Sequence, residues 1–237
     1  DSNDHIALTS NASVASKTVI TCAAWVYPTS AGNANIFNQT YTSNGYAFLV
    51  EYTSGNRFSM QVRETGASTV IGDGDMETGS TYAVDKWYHV VAVYDSVNNS
   101  HYIYVNGVQD AVDTSSGGAI NDEFDVVNIG CQQVSSPHSV WDGKIRDVRI
   151  YEYALSADQA ASLYSGSYNV TPTHWWKLDD SVQGTATTTA VDSGTGTASN
   201  GTLTNFGATS GHATNSSDWN NGTLDLDSTL TIAANGT

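Results

Sequence analysis

Along most of the chain, apolar and polar residues alternate, so that every second side chain is hydrophobic. These runs are rich in β-branched and aromatic residues, and Gly, Asn and Ser, which favour turns, separate them. We predict strands over residues 18–28, 44–52, 57–63, 86–95, 101–105, 126–130, 144–151 and 174–178. Many short strands at roughly regular spacing indicate an all-β sandwich or barrel.

One helix is predicted after the strand at residues 144–151. Ser156 is a good N-cap, and Gln159, three residues later, completes a capping box. Gly166 ends the helix, since glycine readily adopts the left-handed conformation found there. We expect Leu163 and Tyr164 to lie on its buried face and the helix to pack against the sandwich.

The charge of the chain narrows the range of partners. Among 237 residues, 24 are Asp or Glu and 8 are Lys or Arg, which gives a net charge of −16. This sign opposes phosphate backbones and anionic lipid surfaces, so we expect no nucleic-acid binding. The chain contains no run of 18 apolar residues, and no membrane insertion is expected. Neutral or cationic partners and divalent metals suit such a chain.

The first residue and the two cysteines concern the processing of the chain and its disulfide bonding. It begins at Asp1, and we expect it to be a processed or excised piece. Its two cysteines, Cys22 and Cys131, allow either one disulfide or two small buried residues. We favour the second alternative, because a chain of this size does not depend on a single covalent link.

Motifs for catalysis are sparse. The chain has no nucleophile elbow, no HExxH zinc motif and no phosphate-binding loop. The nearest approach is an acidic run in which Asp73, Asp75 and Glu77 would share one face of an extended chain. Flanking glycines favour a solvated loop over a catalytic or metal-binding strand at this point.

Five runs between residues 25 and 156 are the most distinctive in the chain. They are residues 25–28 (WVYP), 86–95 (KWYHVVAVYD), 103–107 (IYVNG), 128–130 (NIG) and 141–156 (WDGKIRDVRIYEYALS). In this order they resemble the LamG-like domains, over residues 1–166 of the chain. The resemblance implies an all-β, concanavalin A-like jelly-roll sandwich with one short helix. Its two antiparallel sheets would each have six or seven strands.

Motifs that usually open a LamG-like domain occur late in this chain. They are residues 176–179 (WKLD), 192–194 (DSG), 201–203 (GTL) and 224–227 (LDLD). We therefore divide the chain into a body at 1–166, a linker at 167–173 and a segment at 174–237 that supplies front strands. This segment completes either its own sandwich, which we favour, or a neighbouring copy, which would give self-association.

The resemblance also implies a Ca²⁺ site near the rim of the sandwich. Asp147 matches the acidic position of the family's strand and is the first candidate ligand. The weaker candidates are Asp1, Asp4 and Asp142. Calcium needs six to eight oxygen ligands, so carboxylates would be combined with backbone carbonyls. Alternatively, Asp147 pairs with Arg146 or Arg149, or caps a turn.

Sugar recognition uses aromatic faces surrounded by amide and hydroxyl groups. The loop aromatics that suit this role are Trp141, Tyr41, Tyr82 and Trp219, with the amides Asn44, Gln132 and Gln133. An alternative role for Trp141 is packing at the entrance of a strand. The tryptophans at positions 25, 87 and 176 lie inside strand patterns, and we expect them in the core.

These observations favour a non-catalytic binding or adhesion module that recognises glycans or a protein partner, assisted by calcium. We expect it outside the cell, on a cell surface or on a virion surface. The alternative is a structural or assembly protein of a virion, filament or surface layer. A polysaccharide-active enzyme is a third interpretation. The fold alone does not distinguish among them.

Overall fold

The computed structural model describes residues 4–42, 45–65, 76–123, 126–132, 138–167, 170–178 and 188–204. These residues contain fourteen strands and one α-helix, α1 (Ala157–Ser165). The strands are β1 (His5–Leu8), β2 (Val19–Pro28), β3 (Ala34–Thr42), β4 (Gly45–Tyr52), β5 (Phe58–Val62), β6 (Met76–Glu77), β7 (Tyr88–Asp95), β8 (His101–Val105), β9 (Val108–Asp113), β10 (Val127–Ile129), β11 (Gly143–Tyr151), β12 (His174–Trp176), β13 (Thr189–Ala190) and β14 (Gly201–Thr204).

The strands form two antiparallel sheets that pack face to face. One sheet has eight strands in the order β13-β14-β1-β10-β3-β4-β5-β6, and the other has six in the order β12-β11-β2-β7-β8-β9. The predicted concanavalin A-like jelly-roll sandwich is confirmed. The larger sheet exceeds the expected seven strands because the short β13 and β14 extend it beyond β1.

Strand β7 shows why the sequence forms two packed layers. Tyr88, Val90, Ala92 and Tyr94 alternate along it and belong to the core between the sheets. The residues between them point to the outer face, where Val91 and neighbours form a second apolar cluster with helix α1. Every residue of β7 is therefore buried, because both faces of this central strand are covered.

Helix α1 begins and ends where the sequence predicts. The Ser156 side chain accepts a hydrogen bond from the Gln159 backbone N–H, and the Gln159 side chain accepts one from the Ser156 backbone N–H. Gly166 ends the helix with φ 81°. Leu163 is buried against the six-stranded sheet, whereas the expectation that Tyr164 is also buried is wrong, since it is 43% exposed. The Tyr164 ring nevertheless contacts the outer face of the sheet, with its centroid 5.7 Å from that of Trp25 and 6.3 Å from that of His89.

Residues 174–204 contribute strands to the sheets of their own chain. Strand β12 pairs with β11, with Trp175 opposite Arg149, and β14 pairs with β1, with Leu203 opposite Ile6. Trp176 is fully buried in the core, as predicted. The division into body, linker and front-strand segment stays a prediction, and residues 205–237, including Trp219, lie outside the described residues.

A hydrogen-bond network around Asp192 links two parts of this segment, strand β12 and the turn at residues 192–199. The Asp192 carboxylate accepts hydrogen bonds from His174 Nδ1 (2.7 Å) and from the backbone N–H groups of Trp175, Gly194 and Ser199 (2.9 Å each). Burial alone would raise the pKa of Asp192, but these donors outweigh it and lower the pKa to about 2. The DSG motif that resembles the family's opening therefore has a structural role.

Two further observations concern the cysteines and the membrane. Cys22 and Cys131 are both buried, and burial raises the pKa of the Cys22 thiol. In the described part of the chain, no helix has the length and apolar character needed to cross a membrane.

Candidate functional site

A β-bulge in β11 determines which of its side chains face outward. Arg146 lies opposite Trp25 of β2, but Arg149, three residues later, lies opposite Ala23, only two residues away. The extra residue is Asp147, which has φ 58°, in the left-handed region that Asp tolerates better than most residues. The bulge places both arginines on the outer face and keeps Ile145 and Val148 in the core.

Four aromatic rings lie on the same outer face of the six-stranded sheet. Trp25 and Tyr27 alternate with core residues along β2, and Trp87 immediately precedes β7. The Tyr27 and Trp87 ring centroids are 5.6 Å apart. Trp175 of β12 is the fourth ring, and all four are half-buried. The prediction that Trp25 and Trp87 are core residues is wrong. Strand alternation places their side chains on the outer face of the sheet, which points away from the core.

Basic side chains lie over each of these rings. The Arg146 guanidinium carbon is 5.0 Å from the Trp25 centroid and 5.1 Å from that of Trp87. Lys144 Nζ lies 5.2 Å from the Tyr27 ring. Arg149 Cζ and Lys177 Nζ each lie 4.6 Å from the Trp175 ring. We call the surface formed by Trp25, Tyr27, Trp87, Trp175, Lys144, Arg146 and Lys177 the aromatic–cation face.

His89 lies under one side of the aromatic–cation face. Its ring centroid is 5.2 Å from that of Trp25, and the residue is 3% exposed. Burial, followed by the positive charges of Arg149 and Arg146, lowers the pKa of His89 to about 3. His89 is therefore neutral at physiological pH.

Asp147, the first candidate calcium ligand, has protein partners on both carboxylate oxygens. Arg149 Nη2 is 2.9 Å from Asp147 Oδ1 and 2.8 Å from Oδ2, and the Trp175 indole N–H also donates to Oδ1. The Asp147 backbone N–H donates to the Lys177 carbonyl. This geometry matches the alternative in which Asp147 pairs with Arg149, and it positions the guanidinium over Trp175.

The other candidate calcium ligands do not assemble with Asp147. Asp142 is exposed and accepts a hydrogen bond from Thr29 Oγ1 (2.8 Å), while Asp4 precedes β1 in the other sheet and Asp1 lies outside the described residues. Within the described ranges, no group of three or more His, Cys, Asp or Glu residues could hold a metal ion. Calcium binding stays a prediction.

Trp141 and Tyr82, two of the predicted sugar-binding aromatics, belong to one internal cluster. Trp141 is 8% exposed, and its ring centroid is 6.3 Å from that of Tyr52. Tyr82 packs against Phe58 and Tyr88, and its hydroxyl donates to Asp110. This placement matches the alternative packing role of Trp141. A binding role for either ring stays a prediction.

Gln132 borders a polar region on the outer face of the eight-stranded sheet. Its backbone carbonyl accepts a hydrogen bond from Asn128 Nδ2 (3.3 Å). Asn128 lies opposite Asn38 across β10 and β3, and Gln61 Nε2 donates to Glu51 nearby (2.9 Å). Of the remaining predicted ligand-binding residues, Asn44, Gln133 and the side chain of Tyr41 lie outside the described part of the structure.

Several side chains in this polar region lack hydrogen-bond partners. Both amide atoms of Asn35 and Asn38, Ser59 Oγ and Asn128 Oδ1 are buried with no partner among the described residues. We call Asn35, Asn38, Ser59 and Asn128 the amide face. Each unsatisfied buried group costs about 1–3 kcal/mol, and such groups in native proteins often mark a place for water or another polar molecule.

The acidic run considered for catalysis is described only in part. Glu77 is exposed in the two-residue edge strand β6, 4.0 Å from Arg57 Nε. Asp73 and Asp75 lie outside the described residues. A catalytic pair of carboxylates on one strand stays untested.

Comparison with known proteins agrees with the sandwich architecture. The Concanavalin A-like lectin/glucanases superfamily matches residues 1–161. The chain belongs to this superfamily. The match covers the first eleven strands, and the superfamily contains both binding proteins and enzymes, so membership does not decide the function. No curated protein sequence matches the chain.

Solved structures share the fold at low sequence identity. A heptameric SAP-like pentraxin from Limulus polyphemus is 18% identical, with a TM-score of 0.54, over 69% of this chain and 76% of that chain. The Ruminococcus gnavus IT-sialidase CBM40 bound to α2,3-sialyllactose is 15% identical, with a TM-score of 0.57, over 68% and 94%. Domain 4 of AbnA, an extracellular arabinanase from Geobacillus stearothermophilus, was solved with arabinotriose and is 20% identical, with a TM-score of 0.50, over 65% and 69%.

The aromatic–cation face contains none of the residues singled out for sugar binding. Its signal is present in the sequence as alternation of large aromatic and apolar residues in β2, and as alternating basic and apolar residues in β11. To recognise this face from the sequence, one must know which of the alternating side chains in each strand point into the core and where the bulge lies. An extra residue in a strand moves every side chain after it to the other face of the sheet.

Proposed function

We propose that this chain is a non-catalytic glycan-binding module and that the aromatic–cation face is its binding surface. The observation that carries the proposal is the cluster of four half-buried aromatic rings on the outer face of the six-stranded sheet. Indole and phenol rings offer flat, apolar area with a polar edge, and such partly exposed groups suit a ligand with both apolar and polar surfaces.

Sugar rings have this dual character, because one face presents C–H groups and the rim presents hydroxyls. The rings would contact the C–H faces, while Lys144, Arg146 and the Tyr27 hydroxyl would donate hydrogen bonds to the rim. The rings are fixed by their strands and by neighbouring cations, so little conformational entropy is lost on binding. The sharing of the fold with the CBM40 and AbnA domains supports this proposal.

The proposal extends to location and requires no metal. An acidic, lysine-poor chain rich in Thr, Gly and Asn suits a role outside the cell or on a cell or virion surface. Calcium assistance is a separate question, which is tested by repeating each binding titration in the presence of a chelator.

A glycan array followed by calorimetric titration of the best ligand tests the proposal. We expect Trp87→Ala and Trp175→Ala each to weaken binding at least about tenfold, because buried aromatic contacts dominate such interfaces. Tyr153→Ala is the matched control, since Tyr153 is 38% exposed but lies beyond the end of β11. Absence of any array ligand, or equal losses in all three variants, would overturn the proposal. Circular dichroism would confirm that each variant is folded.

A further inference from the structure

Helix α1 lies directly beside the rings of the aromatic–cation face. It packs on the outer face of the six-stranded sheet, where Leu163 belongs to the same apolar cluster as Ala23 of β2 and Val91 of β7. Trp25 lies two residues along β2 from Ala23 and points to the same face of the sheet. The helix therefore covers one part of this outer face and ends its cover where the rings begin.

Because of its thickness, the helix forms a ridge beside the rings. An α-helix with its side chains is about 10–12 Å across, so its outer surface lies further from the sheet than a ring that projects from a strand. Apart from Tyr164, the exposed residues of α1 are small or acidic, namely Ala157, Asp158, Ala161 and Ser165. A broad, flat solid that approaches the sheet would therefore meet this ridge, which offers no flat apolar surface, before it reached Trp25.

The ridge is fixed in position. The turn between β8 and β9 lies against it at Gly107, where an added Cβ would lie 3.0 Å from Ala161 Cα and 3.3 Å from Tyr164 Cβ. Leu163 is 1% exposed, so moving the helix aside would expose buried apolar surface. The helix and the face together form a rigid, stepped surface.

Tyr164 lies at the step between the ridge and the face. It is 43% exposed, and its ring centroid is 5.7 Å from that of Trp25 and 6.3 Å from that of His89. The Tyr164 and Trp25 rings are tilted by 31° to each other, and those of Tyr27 and Trp87 by 56°. The rings therefore do not form one plane, and a flat surface could not lie against all of them.

We propose that the aromatic–cation face binds individual, soluble glycan chains and not the flat faces of crystalline polysaccharides, and that Tyr164 is a further binding residue at the foot of the ridge. This inference rests on the proposed glycan-binding function and specifies the physical form of its ligand. A single chain is narrow enough to lie beside the helix, and its sugars can rotate about their linkages to meet tilted rings. Chains in a crystal are held parallel in flat layers and cannot adjust in this way.

Soluble hexasaccharides and crystalline polymers of the same sugar provide matched probes. Cellohexaose is paired with microcrystalline cellulose and chitohexaose with crystalline chitin, and xylohexaose and arabinohexaose complete the soluble set. We expect calorimetric titration to show binding of at least one hexasaccharide. In sedimentation assays, neither crystalline polymer should retain more of the wild-type protein than of Trp87→Ala.

Substitutions of Tyr164 test its contact with the chain. Tyr164→Ala should weaken binding of the hexasaccharide at least about fivefold, because an aromatic contact is lost, whereas Tyr164→Phe keeps the ring and should remain within about twofold of the wild type. Tyr153→Ala is the matched control, since Tyr153 is 38% exposed but lies beyond the end of β11. Tyr164→Leu, which keeps apolar volume without a flat ring, provides a second variant should Tyr164→Ala fail to fold.

The outcomes separate this inference from the proposed function. Retention on a crystalline polymer that is lost in Trp87→Ala would overturn the inference and leave glycan binding intact. Equal binding of a hexasaccharide by the wild type, Tyr164→Ala and Tyr164→Leu would overturn the role of Tyr164, again with glycan binding intact. Binding of no hexasaccharide would overturn the inference as well, and the glycan array would then decide whether the glycan-binding function survives.

Discussion

Two regions of the molecule bury polar side chains: the network around Asp192 and the amide face. They differ in how many of their buried polar atoms have hydrogen-bond partners. Asp192 accepts four hydrogen bonds from a histidine and three backbone N–H groups. In the amide face, Asn35 and Asn38 are equally buried, but neither amide has a partner among the described residues. One region therefore contributes to stability, whereas the other reduces it.

The difference indicates which buried polar groups serve the fold. The Asp192 network ties β12 to the turn at residues 192–199, so its carboxylate acts as a structural anchor. The amide face belongs to strands whose core side chains already hold the sheet together, and the amides of Asn35 and Asn38, which have no partner among the described residues, add desolvation cost. A chain optimised for stability alone would carry apolar side chains there. Substitutions in the two regions should therefore change stability with opposite signs.

Removing the Asp192 carboxylate should have the largest effect. Asp192→Ala would leave the His174 imidazole and three backbone N–H groups buried without an acceptor, each at a cost of about 1–3 kcal/mol. We expect the free energy of unfolding to fall by about 4 kcal/mol or more, measured by urea denaturation. Asp142→Ala is the control and should change it by less than about 0.5 kcal/mol, since Asp142 is exposed. Similar small losses in both would show that the network is not an anchor.

Acid should weaken the same network. The pKa of Asp192 is about 2 in the folded chain, below its ordinary value of 3.8, so the unfolded chain takes up this proton first as pH falls. The resulting stabilisation, on the order of 2 kcal/mol, is complete above about pH 4 and is lost as the pH falls to 2. The difference in unfolding free energy between the wild type and Asp192→Asn should shrink over this interval. A difference independent of pH would contradict the assignment.

Asp147 tests whether a partnered carboxylate on the outer face behaves like Asp192. Asn tolerates φ 58° and has the same shape, so Asp147→Asn removes mainly the charge that faces Arg149. We expect a loss of about 1.5 kcal/mol, because Asp147 is more exposed than Asp192. The loss should be equal in calcium and in a chelator. A loss that occurs only with calcium present would instead identify Asp147 as a metal ligand.

Much of the fold could be predicted from the sequence because its signals are local. Alternation along β2, β7 and β11 indicates strands without reference to the rest of the chain, and Ser156 with Gln159 determines the start of α1. Among the strands of six or more residues, β3 and β9 are absent from the predicted ranges, as are the shorter β1, β6, β13 and β14. In β3, polar residues such as Asn38 and Gln39 are adjacent in sequence, and the bulges in this strand interrupt simple alternation.

The candidate site could not be predicted because it depends on relations between strands. Arg146 and Arg149 differ by three positions, and strict alternation would place them on opposite faces of the sheet. Only the bulge at Asp147 places both over aromatic rings. Likewise, nothing in the sequence around Asn38 distinguishes an exposed outer-face amide from one that is buried and without partners. Burial on the outer face depends on chain segments distant in sequence.

Replacing an amide of the unpartnered region should produce the smallest change, and it should be a gain. Leucine has the branched shape of asparagine without polar atoms, so Asn38→Leu removes a desolvation cost while leaving no cavity. We expect the free energy of unfolding to rise by about 1 kcal/mol. Asn121→Leu is the matched control, because Asn121 is also buried but its Oδ1 accepts a hydrogen bond from the Glu123 N–H (2.9 Å); it should lose about 1 kcal/mol. If both variants lose stability equally, a buried water or other polar partner satisfies Asn38, and the contrast between the two regions fails. If Asn38→Leu gains stability and Asn121→Leu loses it, partner count rather than burial determines the sign.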